Sequence, residues 1–259
     1  MQSNRNSIYQ PPQDLLRDRT IVVTGSGDGI GRVAAKTYAQ FGADVVLVGR
    51  TRGKLESVND EIVSETSTKP LIVPVDLAQL DEENVLQLSN AIQEVYGHLD
   101  GILHNASLLG AKVPLEHYSY TQWLEVFQVN VHSQFLLTKS LLPLLRESKD
   151  ASIIFTSSGV GRQGRAFWGA YSASKFATEA LTEILADELE IESNLRVNSL
   201  NPGGTRTSMR AQAFPAEDPN SLPPPADHMP LYLYLMGPDS RGVSGQKFDA
   251  QTWKYVERA

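Results

Sequence analysis

Thr24-Gly25-Ser26-Gly27-Asp28-Gly29-Ile30-Gly31 is the stretch that decides the fold of this chain. It follows residues 19–24, a β-branched run typical of a buried strand, and it opens residues 30–41, whose amphipathic pattern predicts a helix. Glycines at such a junction permit a tight turn and close approach of the backbone to a pyrophosphate, which the helix N-terminus attracts. A tight turn alone would explain the glycines, but the strand–turn–helix context favours a dinucleotide-binding site.

Short apolar runs alternate with longer amphipathic stretches along the rest of the chain. The further predicted strands are residues 44–49, 71–75, 100–104, 152–156 and 195–200. The further predicted helices are residues 54–65, 83–96, 121–146 and 171–191. This alternation predicts an α/β, three-layer Rossmann fold, in which helices cover both faces of a doubly wound parallel sheet of about seven strands.

The chain of 259 residues suits one domain, which we place at residues 19–259 behind an N-terminal tail of residues 1–18. One segment interrupts the alternation at about residues 203–228, where Pro and polar residues accumulate after the sixth strand. Loops of this length are usually lids or binding loops, so we predict a substrate loop; a flexible surface excursion is the alternative.

Composition excludes several classes of function. The net charge is −7, so no basic surface is expected to attract nucleic acid or an anionic membrane. No apolar run approaches the roughly 18 residues of a membrane span. The chain has no cysteine and its five histidines are scattered, so we expect neither disulfides nor a metal site. The polar first residues lack a secretory signal, which makes the cytoplasm the expected compartment.

The end of the second strand predicts which dinucleotide binds. NAD-specific sites usually place an acidic side chain there, but this chain has Gly49 followed by Arg50. A guanidinium at that position can hold a 2′-phosphate, so NADP(H) is preferred and NAD(H) is the alternative. Asp28 complicates this prediction, because a nearby carboxylate would repel the phosphate. A solvated loop charge is the other interpretation of Arg50.

Tyr171-Ser-Ala-Ser-Lys175 carries the strongest signal for chemistry. Side chains at i and i+4 of a helix project from one face. The phenol has an ordinary pKa of about 10, which a neighbouring ammonium is expected to lower. The spacing alone also fits an exposed helix pair, so its weight depends on the motifs around it.

Further motifs follow the glycine turn in order. They are Asp76-Leu77, His104-Asn105-Ala106-Ser107, Asn130, Ser157-Ser158 and Asn201-Pro202-Gly203-Gly204-Thr205-Arg206-Thr207. With these motifs the chain resembles the short-chain dehydrogenase/reductase family from about residue 19 to residue 249. Residues 158–165 and 201–207 resemble one bacterial branch of that family in particular.

The resemblance implies reversible hydride transfer between a nicotinamide and a carbonyl or alcohol. It assigns catalysis to Asn130, Ser158, Tyr171 and Lys175, with Ser158 chosen because it lies 13 residues before Tyr171. Tyr171 is expected to act as general acid and base, Ser158 to hold the substrate oxygen, Lys175 to bind the ribose, and Asn130 to anchor a proton-relaying water. A buried asparagine that satisfies a helix irregularity is a compatible role for Asn130.

Cofactor binding is expected from the glycine turn, the strand ends, the Tyr171 helix and the segment after the sixth strand. The residues are Gly25, Gly27, Asp28, Gly29, Ile30, Arg50, Asp76, Leu77, Asn105, Ala106, Tyr171, Lys175, Pro202, Gly203, Thr205 and Thr207. Three departures from the family pattern are Ser107 in place of a glycine, Gly27 in place of a polar residue, and the ending Phe248-Asp249-Ala250-Gln251.

The substrate side of the site has fewer signals. Candidates for an apolar pocket are Leu108, Leu109, Phe167, Trp168, Met209 and Phe214. Positive charge near the predicted mouth comes from Arg162, Arg165, Arg206 and Arg210, which solvation explains as well as an anionic substrate does. A 3-oxoacyl thioester and a small ketone both stay open as substrates.

Two helices, residues 121–146 and 171–191, carry more apolar surface than one sheet face needs. Such helices pair between subunits in the family, so a homodimer or homotetramer is expected. A non-catalytic dinucleotide sensor on the same fold is the alternative function. A nucleic-acid-binding protein is disfavoured by the acidic chain and the lack of a basic stripe.

Overall fold

Strands and helices alternate through the part of the chain that is described by the computed structural model, residues 9–192 and 194–256. The strands are β1 Thr20–Thr24, β2 Asp44–Gly49, β3 Leu71–Pro74, β4 Gly101–His104, β5 Ala151–Thr156, β6 Leu195–Asn201 and β7 Lys247–Asp249. The helices are α1 Gly29–Gln40, α2 Arg52–Glu65, α3 Glu82–Tyr96, α4 Tyr120–Phe127, α5 Ser133–Glu147, α6 Gly169–Glu188, α7 Ser208–Ala213 and α8 Met229–Met236.

The strands of the described ranges form one parallel sheet in the order β3-β2-β1-β4-β5-β6-β7. Val22 of β1 pairs with Val46 of β2 on one side and with Ile102 of β4 on the other. The winding direction therefore reverses between β1 and β4, and ligands of such sheets bind outside the strand carboxyl ends at this point. The predicted α/β, doubly wound fold is confirmed.

Two apolar cores lie on opposite faces of the sheet, because successive strand residues point to opposite sides. Ile21 and Val23 pack with α1, α2 and α8 on one face. Val22 packs with α3 and α5 on the other face. Leu185 of α6 and Leu189, which directly follows α6, also lie there. Burial on both faces explains why the strands are nearly continuous apolar runs.

The predicted helix of residues 121–146 is interrupted, which corrects the sequence interpretation. A π-helical turn, Gln128–His132, separates α4 from α5. We attribute this interruption of the helix to a contact between residues distant in sequence. The side-chain amide of Asn130 accepts a hydrogen bond of 2.7 Å from the backbone N–H of Leu108 and donates one of 3.0 Å to the Leu108 carbonyl oxygen.

The C-terminal third also differs in detail from the prediction. The predicted loop at 203–228 contains α7, which Thr207 caps by accepting a hydrogen bond of 3.2 Å from the Arg210 amide. Helix α8 and strand β7 were not predicted as elements. Of the predicted tail, residues 9–18 are described and pack against the domain; Leu16 is fully buried and Tyr9 nearly so.

Within residues 9–192 and 194–256, no helix has the length and apolar character that a membrane span requires. The same residues contain no group of three or more His, Asp or Glu side chains able to hold a metal ion. The chemistry of the described chain is concentrated instead in one large cavity at the carboxyl ends of the strands.

Candidate active site

A cavity of about 490 Å³ opens at the carboxyl edge of the sheet, across the point where the winding reverses. Every residue predicted to bind the cofactor lines it, as do three of the four predicted catalytic residues. Asn130 is the exception, because it is fully buried behind the wall. The fold therefore brings residues from the ends of several strands, spread over most of the chain, into one cavity.

Close packing shapes the glycine turn. Gly25 has φ +69°, and a Cβ on Gly31 would lie 2.3 Å from the Gly25 carbonyl oxygen. Thr24 fixes the neighbouring segment, because its Oγ1 accepts hydrogen bonds from the amides of Asn105 at 2.9 Å and Ala106 at 3.0 Å. The first turn of α1 thus opens into the cavity with no side chain at residues 25, 27, 29 or 31, which is the cradle that a pyrophosphate requires.

The end of the cavity next to the glycine turn carries charges of both signs. Arg50 is exposed, and its guanidinium makes no ion pair or hydrogen bond with the described residues. Asp28 caps α1 and is paired with Lys54 at 2.8 Å. Asp76 caps a short helical turn by accepting a hydrogen bond of 3.1 Å from the Ala78 amide. Lys54 was missed by the sequence interpretation, although the basic run after β2 was a signal for it.

The segment after β6 forms another wall. Gly203 has φ +70° and lies so close to Gln251 that a Cβ would be 2.6 Å from its Cδ. Gln251 in turn donates a hydrogen bond of 2.8 Å to the Gly204 carbonyl oxygen. Thr205 is buried and hydrogen-bonded to His228 at 3.0 Å. The C-terminal segment that departs from the family pattern therefore supports this wall from behind.

Ser158, Tyr171 and Lys175 meet at the centre of the cavity. Ser158 lies two residues after β5, where a short helical turn begins, and the other two project from the first turns of α6. Gly161 allows the two elements to approach, because a Cβ there would lie 2.6 Å from the Cβ of Lys175. The Lys175 ammonium lies 5.6 Å from the centre of the Tyr171 ring.

The electrostatics of this group correct one expectation. Burial raises the pKa of Tyr171 to about 12, although the nearby hydroxyls of Ser158 and Ser107 act to lower it. The Lys175 ammonium lies 5.6 Å from the centre of the Tyr171 ring and donates a hydrogen bond of 2.7 Å to the Thr156 carbonyl oxygen, so it does not offset the effect of burial. Burial also lowers the pKa of Lys175 to about 8, opposed by the charge of Glu179. Tyr171 is therefore a protonated donor at neutral pH.

Asn130 connects the cavity wall to α6. Besides holding both backbone groups of Leu108, its Nδ2 donates a hydrogen bond of 2.9 Å to Ser174 Oγ. Ser174 directly precedes Lys175, so Asn130 ties the loop after β4 to the helix that carries the tyrosine and lysine. Asn130 lies in the π-helical turn, in agreement with a role in a helix irregularity, and the water-anchoring role stays a prediction.

The substrate side is apolar. Leu108, Leu109, Trp168 and Met209 line the cavity, with the Trp168 ring centre 5.8 Å from that of Tyr171. Two other candidates do not line it: Phe167 is 55% exposed, and Phe214 packs behind Trp168.

The nearby arginines are mostly engaged within the chain. Arg162 pairs with Glu179 and Asp249, and Arg210 pairs with Glu217 at 2.6 Å. Arg206 donates a hydrogen bond of 3.2 Å to the Leu222 carbonyl oxygen. These contacts explain three of the four arginines structurally, and the fourth, Arg165, is exposed.

Comparison with known proteins identifies this arrangement. The family described as short chain dehydrogenase matches residues 19–218. The chain belongs to the short-chain dehydrogenase family. It is accordingly an oxidoreductase of that family, and the resemblance predicted from its motifs is confirmed.

Several similar members of the family come from bacteria. The chain is 56% identical over 243 residues to the uncharacterized oxidoreductase YciK of Escherichia coli K12, covering 94% of this chain and 96% of that one. A short-chain dehydrogenase of Shigella flexneri 2a, solved in complex with NADP, is 55% identical with a TM-score of 0.90, covering 93% and 100% of the chains. One of E. coli CFT073, in complex with NADPH, is 56% identical with a TM-score of 0.90 and the same coverage. The bacterial branch indicated by the sequence is thus the YciK-like one.

Proposed function

We propose that the protein is an NADP(H)-dependent oxidoreductase that transfers a hydride between the nicotinamide and a carbonyl or alcohol substrate. One observation carries the proposal: Ser158, Tyr171 and Lys175 share a single cavity with a glycine turn at a helix N-terminus. A phenol, a hydroxyl and an ammonium around one point can donate a proton to an oxygen and stabilise its charge.

The preference for NADP(H) rests on the residues at the end of β2. Gly49 supplies no carboxylate for a ribose hydroxyl pair, and the exposed Arg50 guanidinium suits a 2′-phosphate. Asp76, Leu77, Asn105 and Ala106 would hold the adenosine half. The relatives solved with NADP and NADPH support the same cofactor here.

Each catalytic side chain then has a defined task. The nicotinamide, when bound, supplies or accepts the hydride. In carbonyl reduction Tyr171 gives its proton to the substrate oxygen, and in alcohol oxidation it removes that proton as the base. Ser158 donates a hydrogen bond to the same oxygen. The Lys175 ammonium stabilises the negative charge that the phenol acquires, and Asn130 holds the wall beside them in place.

The substrate is proposed to be an uncharged or largely apolar carbonyl compound, because Leu109, Trp168 and Met209 line the cavity and form one apolar cluster with Tyr171. The direct test follows the oxidation of NADPH with a panel of ketones, aldehydes, quinones and 3-oxoacyl thioesters. Turnover of apolar members supports the proposal. Tight NADPH binding without turnover of any member would favour the alternative, a non-catalytic redox sensor.

The pH dependence of carbonyl reduction is expected to follow Lys175. Its pKa of about 8 means that the positive charge is present below that pH and lost above it, while Tyr171, with a pKa of about 12, stays protonated throughout. We therefore expect kcat/KM to be level near neutrality and to fall up to about tenfold per pH unit above pH 8. The measurement is a pH–rate profile of wild type and Glu179→Gln.

The Glu179→Gln variant tests whether Lys175 is the group whose titration causes the fall in kcat/KM above pH 8. The carboxylate raises the pKa of Lys175, so its removal is expected to move the fall to lower pH. A limb at the same pH in both proteins would mean that another group titrates.

We also propose that the protein forms a homodimer or homotetramer in the cytoplasm. Support for the assembly comes from exposed apolar side chains on three consecutive helices. They are Leu124 on α4, Phe135 on α5, and Phe176 and Ile184 on α6. Light scattering after size exclusion measures the mass directly, and a monomer at micromolar concentration would contradict the assembly.

A further inference from the structure

An ion pair lies at the end of the cavity beside Arg50, where the glycine turn meets α2. Asp28 Oδ2 accepts a hydrogen bond of 2.8 Å from the Lys54 ammonium, and Asp28 Oδ1 accepts one of 2.7 Å from the Gly29 amide. Both charged side chains line the cavity and are a little over half exposed. The lysine holds the pKa of Asp28 below its usual range, so the carboxylate is ionised at neutral pH.

Two glycines bring the lysine to this place. A Cβ on Gly27 would lie 3.1 Å from the Cβ of Lys54, and a Cβ on Gly49 would lie 3.1 Å from the Leu55 Cδ2. Both contacts are tighter than ordinary packing, so side chains at these positions would press α2 away from the turn. The glycine at position 27, where the family usually has a polar residue, therefore gives Lys54 its reach to Asp28.

Asp28 has a structural reason to be acidic that is independent of any ligand. An N-cap carboxylate satisfies an amide of the first helical turn and complements the helix dipole, and both effects stabilise α1. The same negative charge faces a cavity whose neighbouring Arg50 suits a phosphate. An uncompensated carboxylate there would repel a group carrying nearly two negative charges.

We propose that Lys54 neutralises Asp28 and thereby admits the 2′-phosphate of NADP(H) to this end of the cavity. The inference rests on the proposed NADP(H) preference and deepens it. Lys54 acts through Asp28 as a specificity-determining residue, while Arg50 is the group that binds the phosphate. The arrangement keeps an acidic cap on α1 and cancels its charge toward the ligand.

The test measures equilibrium binding of NADP⁺ and NAD⁺ by titration calorimetry, with no substrate and no turnover. The proteins are wild type, Lys54→Met, Asp28→Asn and the double variant. Methionine keeps the stem that packs over Gly27, and asparagine caps helices as well as aspartate does. Lys36→Met is the matched control. Lys36 pairs with Glu61 of α2 at 2.9 Å, and neither of these two residues lines the cavity.

Lys54→Met is expected to weaken NADP⁺ binding about tenfold at low salt while NAD⁺ changes less than about twofold. The loss is expected to shrink at about 0.5 M salt, because the charges are exposed. Asp28→Asn is expected to bind NADP⁺ at least as tightly as wild type, and adding it to Lys54→Met is expected to restore the affinity. Lys36→Met is expected to match wild type.

Three outcomes would overturn the inference. Equal loss for both cofactors in Lys54→Met would mean a structural role, and an undiminished loss in the Asp28→Asn background would mean that Lys54 binds the phosphate directly. In both cases the NADP(H) preference of wild type survives. A wild type that binds NAD⁺ as tightly as NADP⁺ would instead overturn the cofactor proposal and this inference together.

Discussion

Replacing Tyr171 by phenylalanine is expected to lower kcat for carbonyl reduction by about a hundredfold to ten thousandfold, the range that general acid–base groups contribute. The phenol is protonated at neutral pH, since its pKa is about 12, and its ring lies against Trp168 of the substrate wall. Ser158 and Lys175 stay in place in the variant, so hydrogen bonding to the substrate oxygen survives but proton donation does not. Steady-state kinetics with the best carbonyl of the panel gives the loss.

The binding of NADPH to Tyr171→Phe is expected to change by less than about threefold, because the ring and its contact with Trp168 are kept. Fluorescence titration measures this separately from turnover. Tyr38→Phe is the matched control: its hydroxyl is buried in the α1 core and has no hydrogen-bond partner among the described residues, so removing it should leave activity intact. Turnover above a tenth of wild type in Tyr171→Phe would reject the tyrosine as the proton donor.

Local signals were sufficient to predict most of the sheet and the cavity. Strands buried on both faces appear as short apolar runs, and the predicted bounds of β1 to β6 agree with the structure to within one residue. The position of the glycine turn between a strand and a helix was sufficient to predict a dinucleotide-binding site there. In a parallel sheet the carboxyl ends of the strands share one edge, so Asp76, Asn105, Ser158 and Pro202 had to converge there.

Contacts between distant segments account for what the sequence did not predict. Helix α8 is apolar on all sides, with Leu231, Tyr232 and Leu235 almost fully buried, so it lacks the polar face that marks an amphipathic helix. Strand β7 has three residues, too few for a periodic pattern. The π-helical turn depends on the contact of Asn130 with Leu108, which no local pattern encodes.

The same reasoning applies to the electrostatics of the site. The spacing of Tyr171 and Lys175 placed both on one face of α6, but their pKa values depend on burial and on where the ammonium points. Lys175 is 1% exposed and directed at the Thr156 carbonyl oxygen, which could not be read from the motif. The pairing of Lys54 with Asp28 likewise follows from helix packing over Gly27.

Replacing Gly31 by alanine is expected to weaken NADPH binding by about tenfold to a hundredfold or more. The new Cβ would lie 2.3 Å from the Gly25 carbonyl oxygen and 2.5 Å from Asn105 Nδ2, and backbone cannot move aside as a flexible side chain can. Overpacking of this kind typically costs about 1–3 kcal/mol, and each 1.4 kcal/mol is about tenfold in affinity. Calorimetric titration of NADPH measures the loss, and thermal unfolding should show a Tm lower by several degrees.

Gly53→Ala is the matched control for that variant, because it makes the same substitution one helix away from the turn. A Cβ at Gly53 meets nothing within 4 Å. Alanine there favours the helix and reduces the freedom of the unfolded chain, so stability should be unchanged or slightly higher and NADPH affinity should match wild type. Wild-type affinity in Gly31→Ala as well would show that the turn does not need this close approach. Loss in Gly31→Ala alone would tie cofactor binding to the contact between the first turn of α1 and the backbone of Gly25, which is the geometry that the opening stretch of glycines dictates.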